Sequence, residues 1–361
     1  MNIAYIEELF KLIPHGGIAV WSARLTDYLN QQGIQTDIIS YSDGIQTKVP
    51  DFIKVFPNVR EIFIYPNCGR RALPAIEKKY DLLQLASPHT LAFYKPGIPS
   101  VISIHYLISR QALMLGQYLP KKYKLFFNKA SFHLFRHYER KGLQHADCIT
   151  VSRQAYKAYL IKYMGLPAEK IKIVKYGIDH EFFHPAENRN RKENMVLYVG
   201  RGSLPKGFDT LVQAAGHIKA QIVAVASQIP KPIQAQIKQL KNFTLLSGLS
   251  AGDLRTLYQQ AQIYMMPSLT ECSPISTLEA MACGLPVVCT PEGSGEYIED
   301  GTNGYVIPFK DSAKLAERVN YLLAHPEIAA EFGRRNRQKV EAELTLPVIA
   351  SQLIKIYQEF V

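Results

Sequence analysis

Two glutamates with seven residues between them, Glu271 and Glu279, are the side chains of this sequence best placed to do chemistry. They lie in the stretch MPSLTECSPISTLEAMACGLP, residues 266–286. An apolar strand over 263–266 should break at Pro267 and Ser268 into a polar loop carrying Glu271. The spacing predicts a helix from about Ser273, because serine caps orphan amides and Pro274 suits the first helical position. Ile275, Leu278 and Ala282 give that helix a buried face, and Gly284 and Pro286 end it. Glu279 then sits two turns in, on a mostly apolar helix, where an acid is seldom buried without a partner. A strand, a polar loop and a helix N-terminus is an arrangement that receives a phosphate or a sugar in α/β proteins.

The elements that must position these residues alternate regularly. Residues 2–6 read as a buried strand, followed by a loop ending in Gly16-Gly17 and a helix over 18–31 that stops at Gly33, then a strand over 36–40. Further strands are expected over 62–65, 82–85, 101–105 and 148–151. His105 ends one of them, on the edge where open parallel sheets bind ligands. Residue 185 opens a polar linker, and the second half restarts with a strand over 195–199 and a Gly-rich loop, Gly200-Arg201-Gly202-Ser203-Leu204-Pro205-Lys206-Gly207. Helices are expected over 208–219, 251–260 and 311–323, with strands over 222–226, 243–247, 287–289 and 304–307. An amphipathic helix over 345–361 is long enough to return to the first half. Taken alone, Gly16-Gly17 is an ordinary turn, His105 a strand-end histidine, and Arg201 and Lys206 solvated charges. Gly202 and Gly207 are spaced as in a P-loop, but Phe208 replaces the lysine that motif requires, and no GxGxxG follows either opening strand.

Length and composition narrow the classes. A chain of 361 residues, 47% hydrophobic and 20% charged, suits a globular protein of two domains. No apolar run reaches the ~20 residues that span a bilayer. The five cysteines form no CxxC pair, which fits reduced thiols and no zinc site. The N-terminal residues lack the basic flank of a signal peptide, so a cytoplasmic protein is expected. Charge is lopsided: residues 1–185 hold 24 Lys and Arg against 14 Asp and Glu, and 186–361 hold 18 against 17. Segment 110–141 carries eight basic residues, interleaved with aromatics, and the single acid Glu139. Such a charge run is ordinarily a solvated face, and the pattern also suits an anionic membrane surface or a negatively charged glycan. No nucleic-acid-binding module is recognisable, so nucleic acid is not an expected partner.

The ordered motifs resemble those of the retaining, nucleotide-sugar-dependent glycosyltransferases of family four, with the GT-B fold. Gly16-Gly17 opens the first helix, and GIPSVIS precedes His105. Val151-Ser152 and Tyr176-Gly177-Ile178-Asp179 match a signature before the linker. Gly200-Arg201 with Lys206-Gly207 matches the GR…KG loop, and Gly248, Tyr258 and Ala261 match a later segment. Glu271 and Glu279 have the family's spacing and run into Ala280-Met281-Ala282-Cys283-Gly284-Leu285-Pro286-Val287.

The resemblance implies an α/β architecture of two facing Rossmann-like domains with a cleft between them: 1–185 for the acceptor, 186–344 for the nucleotide sugar, and a helix 345–361 crossing back. It implies His105, Arg201, Lys206 and Glu271 as catalytic residues. Gly16, Gly17, Arg201, Lys206, Glu271, Cys272, Ser273, Pro274, Ile275, Ser276 and Glu279 would bind the donor, with Glu279 on the ribose and Glu271 on the sugar. The diphosphate gains charge as the bond breaks, and Arg201 and Lys206 supply the opposite charge without a metal or other cofactor. The chain lacks the DxD motif that would hold a metal. The expected partners are a nucleoside-diphosphate sugar and a glycan or lipid-linked glycan acceptor, as in surface polysaccharide or lipopolysaccharide assembly, with a possible anionic membrane surface at 110–141. Cys272-Ser273 replaces a glycine-containing pair usual in the family, which puts donor choice there. The alternatives are an epimerase or inverting transferase of the same fold, or a non-catalytic lipid- or polyanion-binding protein.

Overall fold

The computed structural model describes residues 1–7, 17–40, 64–116, 118, 129–187, 194–272 and 274–361. The backbone packs as two units, one of Met1–Lys175 with Pro347–Val361 and one of Tyr176–Leu346.

The first unit carries strands β1 (Asn2–Ile6), β2 (Gln35–Ile39), β3 (Leu82–Leu85), β4 (Ser100–Ile104), β5 (Cys148–Val151) and β6 (Ile171–Ile173). They form one parallel sheet in the order β2-β1-β3-β4-β5-β6. Every residue of β3, β4 and β5 is buried, as parallel strands covered on both faces require. Its helices are α1 (Gly17–Gln31), α2 (Tyr65–Ile76), α3 (Ile108–Leu115), α4 (Lys129–His145) and α5 (Gln154–Met164). Trp21, Ser22, Leu25, Thr26 and Leu29 make the buried stripe of α1. The chain leaves that helix through Gly33, whose φ of 78° suits glycine. Tyr65, expected in a strand, instead opens α2 with Pro66 in its first turn, where a proline costs no hydrogen bond. Residues 62 and 63 of that strand lie outside the described residues.

The second unit carries β7 (Met195–Arg201), β8 (Gln221–Ser227), β9 (Phe243–Leu246), β10 (Ile263–Met266), β11 (Val287–Cys289) and β12 (Gly304–Val306), again parallel, in the order β12-β11-β10-β7-β8-β9. Helices α6 (Phe208–Ala215), α7 (Lys231–Ile237), α8 (Ala251–Gln260), α9 (Ile275–Ala282), α10 (Pro291–Ser294), α11 (Ser312–Ala324) and α12 (Pro326–Glu343) join them. Tyr198, Phe208, Leu211, Ile222, Met265, Val288 and Leu315 belong to one buried cluster beneath this sheet. Helix α13 (Leu346–Gln358) ends the chain; Tyr357 on it donates to Gln84 Oε1 at 3.0 Å, inside the first unit.

The division falls after Lys175, not after the expected 185. The intervening segment is tied to the second unit by Arg337 on α12, whose Nη1 donates to the carbonyls of His180 (2.9 Å), Phe183 (3.0 Å) and Ala282 (2.9 Å). Ile178 also bridges Thr345 in parallel fashion. Replacing Arg337 with methionine strands several carbonyls at once, which costs on the order of 2–4 kcal/mol. Denaturant unfolding of Arg337→Met will show that loss, whereas Arg334→Met, with its side chain largely exposed, will stay within about 0.5 kcal/mol of the parent.

Candidate active site

In an open parallel sheet the ligand crevice opens where the strand order reverses, at the carboxyl ends of the two strands flanking that point. In the second unit this point lies between β7 and β10, because the chain runs outward from β7 through β8 and β9, and from β10 through β11 and β12. Arg201 is the last residue of β7, and the loop carrying Glu271 leaves β10. Gly200 and Arg201, expected in the loop, therefore belong to the strand, paired with Ala226 and Ser227 of β8.

Backbone contacts join the two loops. After β7 the chain makes a single tight turn over Leu204–Lys206 and leaves through Gly207, whose φ is 64°. A Cβ on Gly207 would meet the Pro267 carbonyl oxygen at 1.8 Å, so both the backbone conformation and the space demand glycine. The Pro205 carbonyl accepts from the amides of Leu269 (2.8 Å) and Thr270 (3.3 Å). Lys206 Nζ thereby reaches Glu271 Oε1 at 2.5 Å, in an ion pair whose carboxylate is 7% exposed and whose ammonium is 20% exposed. Ser268 Oγ donates to the same Glu271 oxygen at 3.0 Å, and the Ser268 carbonyl accepts from Thr290.

Three tyrosines with no exposed surface reach the other candidate groups. Tyr198 donates to the Arg201 carbonyl at 2.9 Å and lies 3.3 Å from that of Lys206. Tyr264 Oη is 2.8 Å from Ser276 Oγ and 3.3 Å from the Val199 carbonyl, linking α9 to β7. Tyr258 donates to Glu279 Oε2 at 2.8 Å. Burial pushes all three phenols well above their ordinary range, so they stay protonated donors. Tyr258 stood among the motif residues of the family resemblance, whereas Tyr198, Tyr264 and the acceptors of all three hydroxyls escaped sequence reasoning.

Helix α9 begins at Ile275, and Pro274 occupies the cap position without a side-chain cap. The expected serine cap is thus replaced by proline, and Ser273 lies outside the described residues. Among the described residues, the Thr277 amide is the first of this helix to find a backbone acceptor, the Pro274 carbonyl, and the amides of Ile275 and Ser276 lie at the N-terminal end. Cys272 is buried.

The first unit holds the remaining predicted residues. Gly17 opens α1, while Gly16 lies outside the described residues. His105 directly follows β4, is buried, and meets Trp21 of α1 edge-on with ring centroids 6.0 Å apart. Three residues further on, the chain is held by the wholly buried Glu139, which accepts from the amides of Ile108 (2.6 Å) and Ser109 (3.3 Å) and from the Ser109 hydroxyl, and lies 3.9 Å from His89 Nε2. It caps α3 from α4 and so fixes the turn that carries His105. Arg110, counted from the sequence among surface charges, is buried and lies 4.3 Å from the centre of the Tyr156 ring. Lys121, Lys122 and Lys124 of that basic segment lie outside the described residues. Among the described residues no group of three His, Cys, Asp or Glu side chains could hold a metal ion, and no helix is long and apolar enough to cross a membrane.

Known proteins sharpen this reading. The model of Glycosyltransferase Family 4 matches residues 15–182, and that of Glycosyl transferases group 1 matches residues 179–339. The chain belongs to glycosyltransferase family four. Its fold is GT-B: sucrose-phosphate synthase from Thermosynechococcus elongatus superposes with a TM-score of 0.83 at 21% identity, covering 99% of this chain and 98% of that one. HepE of Anabaena, solved in complex with UDP, superposes with a TM-score of 0.73 at 17% identity, covering 99% and 100%. Alpha-maltose-1-phosphate synthase of Mycolicibacterium smegmatis is 30% identical over 254 residues, 61% of this chain and 65% of that protein. The family-four chain thus spans about two thirds of that relative's length. O-antigen chain mannosyltransferase C of Escherichia coli is 22% identical over 99% of this chain and 98% of its own length.

Burial pushes the imidazoles of His105 and His89 down to about 3. The unfolded chain binds their protons below about 6.5, so stability is full above that pH and declines as pH falls toward 3. Each histidine adds a slope of about 1.4 kcal/mol per pH unit. Urea titrations between pH 7 and pH 4 will show a shallower slope for His105→Gln and for His89→Gln than for the parent chain.

Proposed function

We propose that this chain moves a sugar from a nucleoside-diphosphate sugar to a glycan or lipid-linked glycan, with retention of anomeric configuration and without a metal ion. One observation carries the reading: Lys206 and Glu271, 65 residues apart in sequence, meet at 2.5 Å at the switch point of the sheet, beside the N-terminal end of α9. A cation, an acceptor for sugar hydroxyls and helix N-terminal amides are the three groups that a sugar diphosphate requires.

In this reading the diphosphate binds the amides of Ile275 and Ser276 and draws the ammonium of Lys206 toward it. Glu271, kept in place by Ser268, then takes sugar hydroxyls, while Arg201 faces the phosphate from the end of β7. Charge growing on the leaving diphosphate is met by groups already in place, so little reorganisation is needed at the transition state. Glu279 accepts from the ribose. His105, neutral at physiological pH, offers a hydrogen bond to a substrate hydroxyl in place of a charge. Retention follows a front-face course in this proposal, with the departing phosphate taking the acceptor's proton, a course supported by the family resemblance. The absence of a DxD motif supports metal independence, and the family resemblance supports the donor class.

The name of the O-antigen mannosyltransferase relative and the excess positive charge of residues 1–185 support an acceptor in surface polysaccharide or lipopolysaccharide assembly, handled at the inner face of a membrane. Segment 110–141 is the contact in this proposal, and Leu134 on α4 is one of its exposed apolar side chains.

A thermal-shift panel of UDP-, GDP- and ADP-sugars tests the donor: a bound donor at ~100 times its dissociation constant adds about 2.7 kcal/mol. Lys206→Ala should lower kcat by about 100-fold or more while moving the melting temperature little. A variant that melts early and loses activity only in proportion makes Lys206 structural and removes the carrying observation. Activity that vanishes with a chelator and returns with a divalent ion refutes metal independence. Binding to vesicles containing anionic lipid that survives Lys121, Lys122, Lys124 and Lys129→Gln removes the segment's role.

A further inference from the structure

Lys206 and Glu271 neutralise each other, so a ligand that takes one of them must compete with the other. Lys206 Nζ lies 2.5 Å from Glu271 Oε1, and Ser268 Oγ donates to that same oxygen at 3.0 Å. The glutamate is the more fixed of the two. Its side chain is 7% exposed against 20% for the lysine, and its neighbour Ser268, with no exposed surface, is held in turn by Thr290. An ammonium on a flexible four-carbon stem can swing outward, and the carboxylate cannot follow it. Whatever draws the ammonium away leaves a buried carboxylate without that cation. The net stability of such a pair is small, because desolvation offsets attraction, but parting its members inside the folded chain forfeits the attraction alone.

We propose that this pair makes the site select a loaded sugar donor over the spent nucleoside diphosphate, with Glu271 as the specificity-determining residue. The inference rests on the donor reading made above, in which the diphosphate takes Lys206 and the sugar takes Glu271. Both ligands draw the ammonium toward their phosphates. The donor also brings a sugar hydroxyl to the place the ammonium leaves, so the carboxylate exchanges one hydrogen-bond donor for another. The spent diphosphate brings no hydroxyl there, and it binds against the full attraction of the parted pair. Selection comes from what the wrong ligand fails to replace. Re-forming the pair after transfer favours release of the nucleoside diphosphate.

Calorimetry on the full chain at low ionic strength tests this with UDP, GDP and ADP, taking whichever the parent binds. Glu271→Gln keeps the shape of the side chain, releases the ammonium and should tighten that nucleotide by about tenfold. Lys206→Met should weaken it by about tenfold or more. In the Lys206→Met chain, the gain from Glu271→Gln should be at least about threefold smaller than in the parent. An equal gain in both backgrounds would mean that the carboxylate simply repels phosphate, and would overturn the proposal. If Lys206→Met weakens binding but Glu271→Gln does not tighten it, the donor reading stands and this inference falls. If Lys206→Met leaves binding unchanged, or none of the three nucleotides binds, the donor reading itself fails and the inference with it. Should Glu271→Gln not fold, Glu271→Asp, which draws the carboxylate back from the ammonium, should tighten the nucleotide by about threefold, and an affinity no tighter than the parent's would overturn the proposal.

Discussion

The close approach of Gly207 to the Pro267 carbonyl is the constraint on which the rest of the second unit's site depends. A single side-chain carbon there would push apart the loops that follow β7 and β10. Without that contact the Pro205 carbonyl could not reach the amides of Leu269 and Thr270, and Lys206 would not lie beside Glu271. The ion pair is thus a product of backbone packing more than of attraction between its charges. A pair part-way open to water contributes little to stability by itself. Its value is local: two opposite charges are held side by side at the switch point of the sheet.

The tyrosines extend the same logic. Tyr198, Tyr258 and Tyr264 each fill the core with a ring and place a hydroxyl at its margin, so one side chain serves both packing and alignment. Their phenols bind the Arg201 backbone, the Glu279 carboxylate and the Ser276 hydroxyl. The polar groups of the site are therefore tied to the apolar interior and are not left on freely moving loops. In the first unit Glu139 does the comparable work, capping α3 and steadying the turn after His105.

Much of this was legible in the residues, and the failures have physical causes. Strand β10 and the loop bearing Glu271 could be read directly, because an apolar run ending in Pro-Ser admits few alternatives. Helix α9 starts later than expected because Pro274 takes the cap position itself. Helix α12 was not anticipated at all. Its buried stripe runs through Ala329, Phe332, Gly333, Asn336 and Val340, and the glycine and asparagine blur the apolar period. Asn336 belongs there because it bonds Leu285, Asn303 and the Asn303 side chain, partners distant in the sequence. Counting charges in 110–141 likewise could not show where they go: Arg110 turns inward onto Tyr156 and Glu139 disappears into the core. The tyrosine hydroxyls were invisible for the same reason, since their acceptors come from other segments.

The three carbonyls gathered by Arg337 bear on how the chain can be divided. His180 and Phe183 precede the polar linker, yet their backbone oxygens share one guanidinium with the last turn of α9. A fragment begun after the linker, where composition changes most, would leave that guanidinium facing one oxygen where it now serves three. Excision of the second unit as an autonomous body should respect hydrogen bonding over composition, keeping Tyr176 onward and carrying through to Leu346. The boundary of the second unit is thus set by its own backbone hydrogen bonds, upstream of the polar linker.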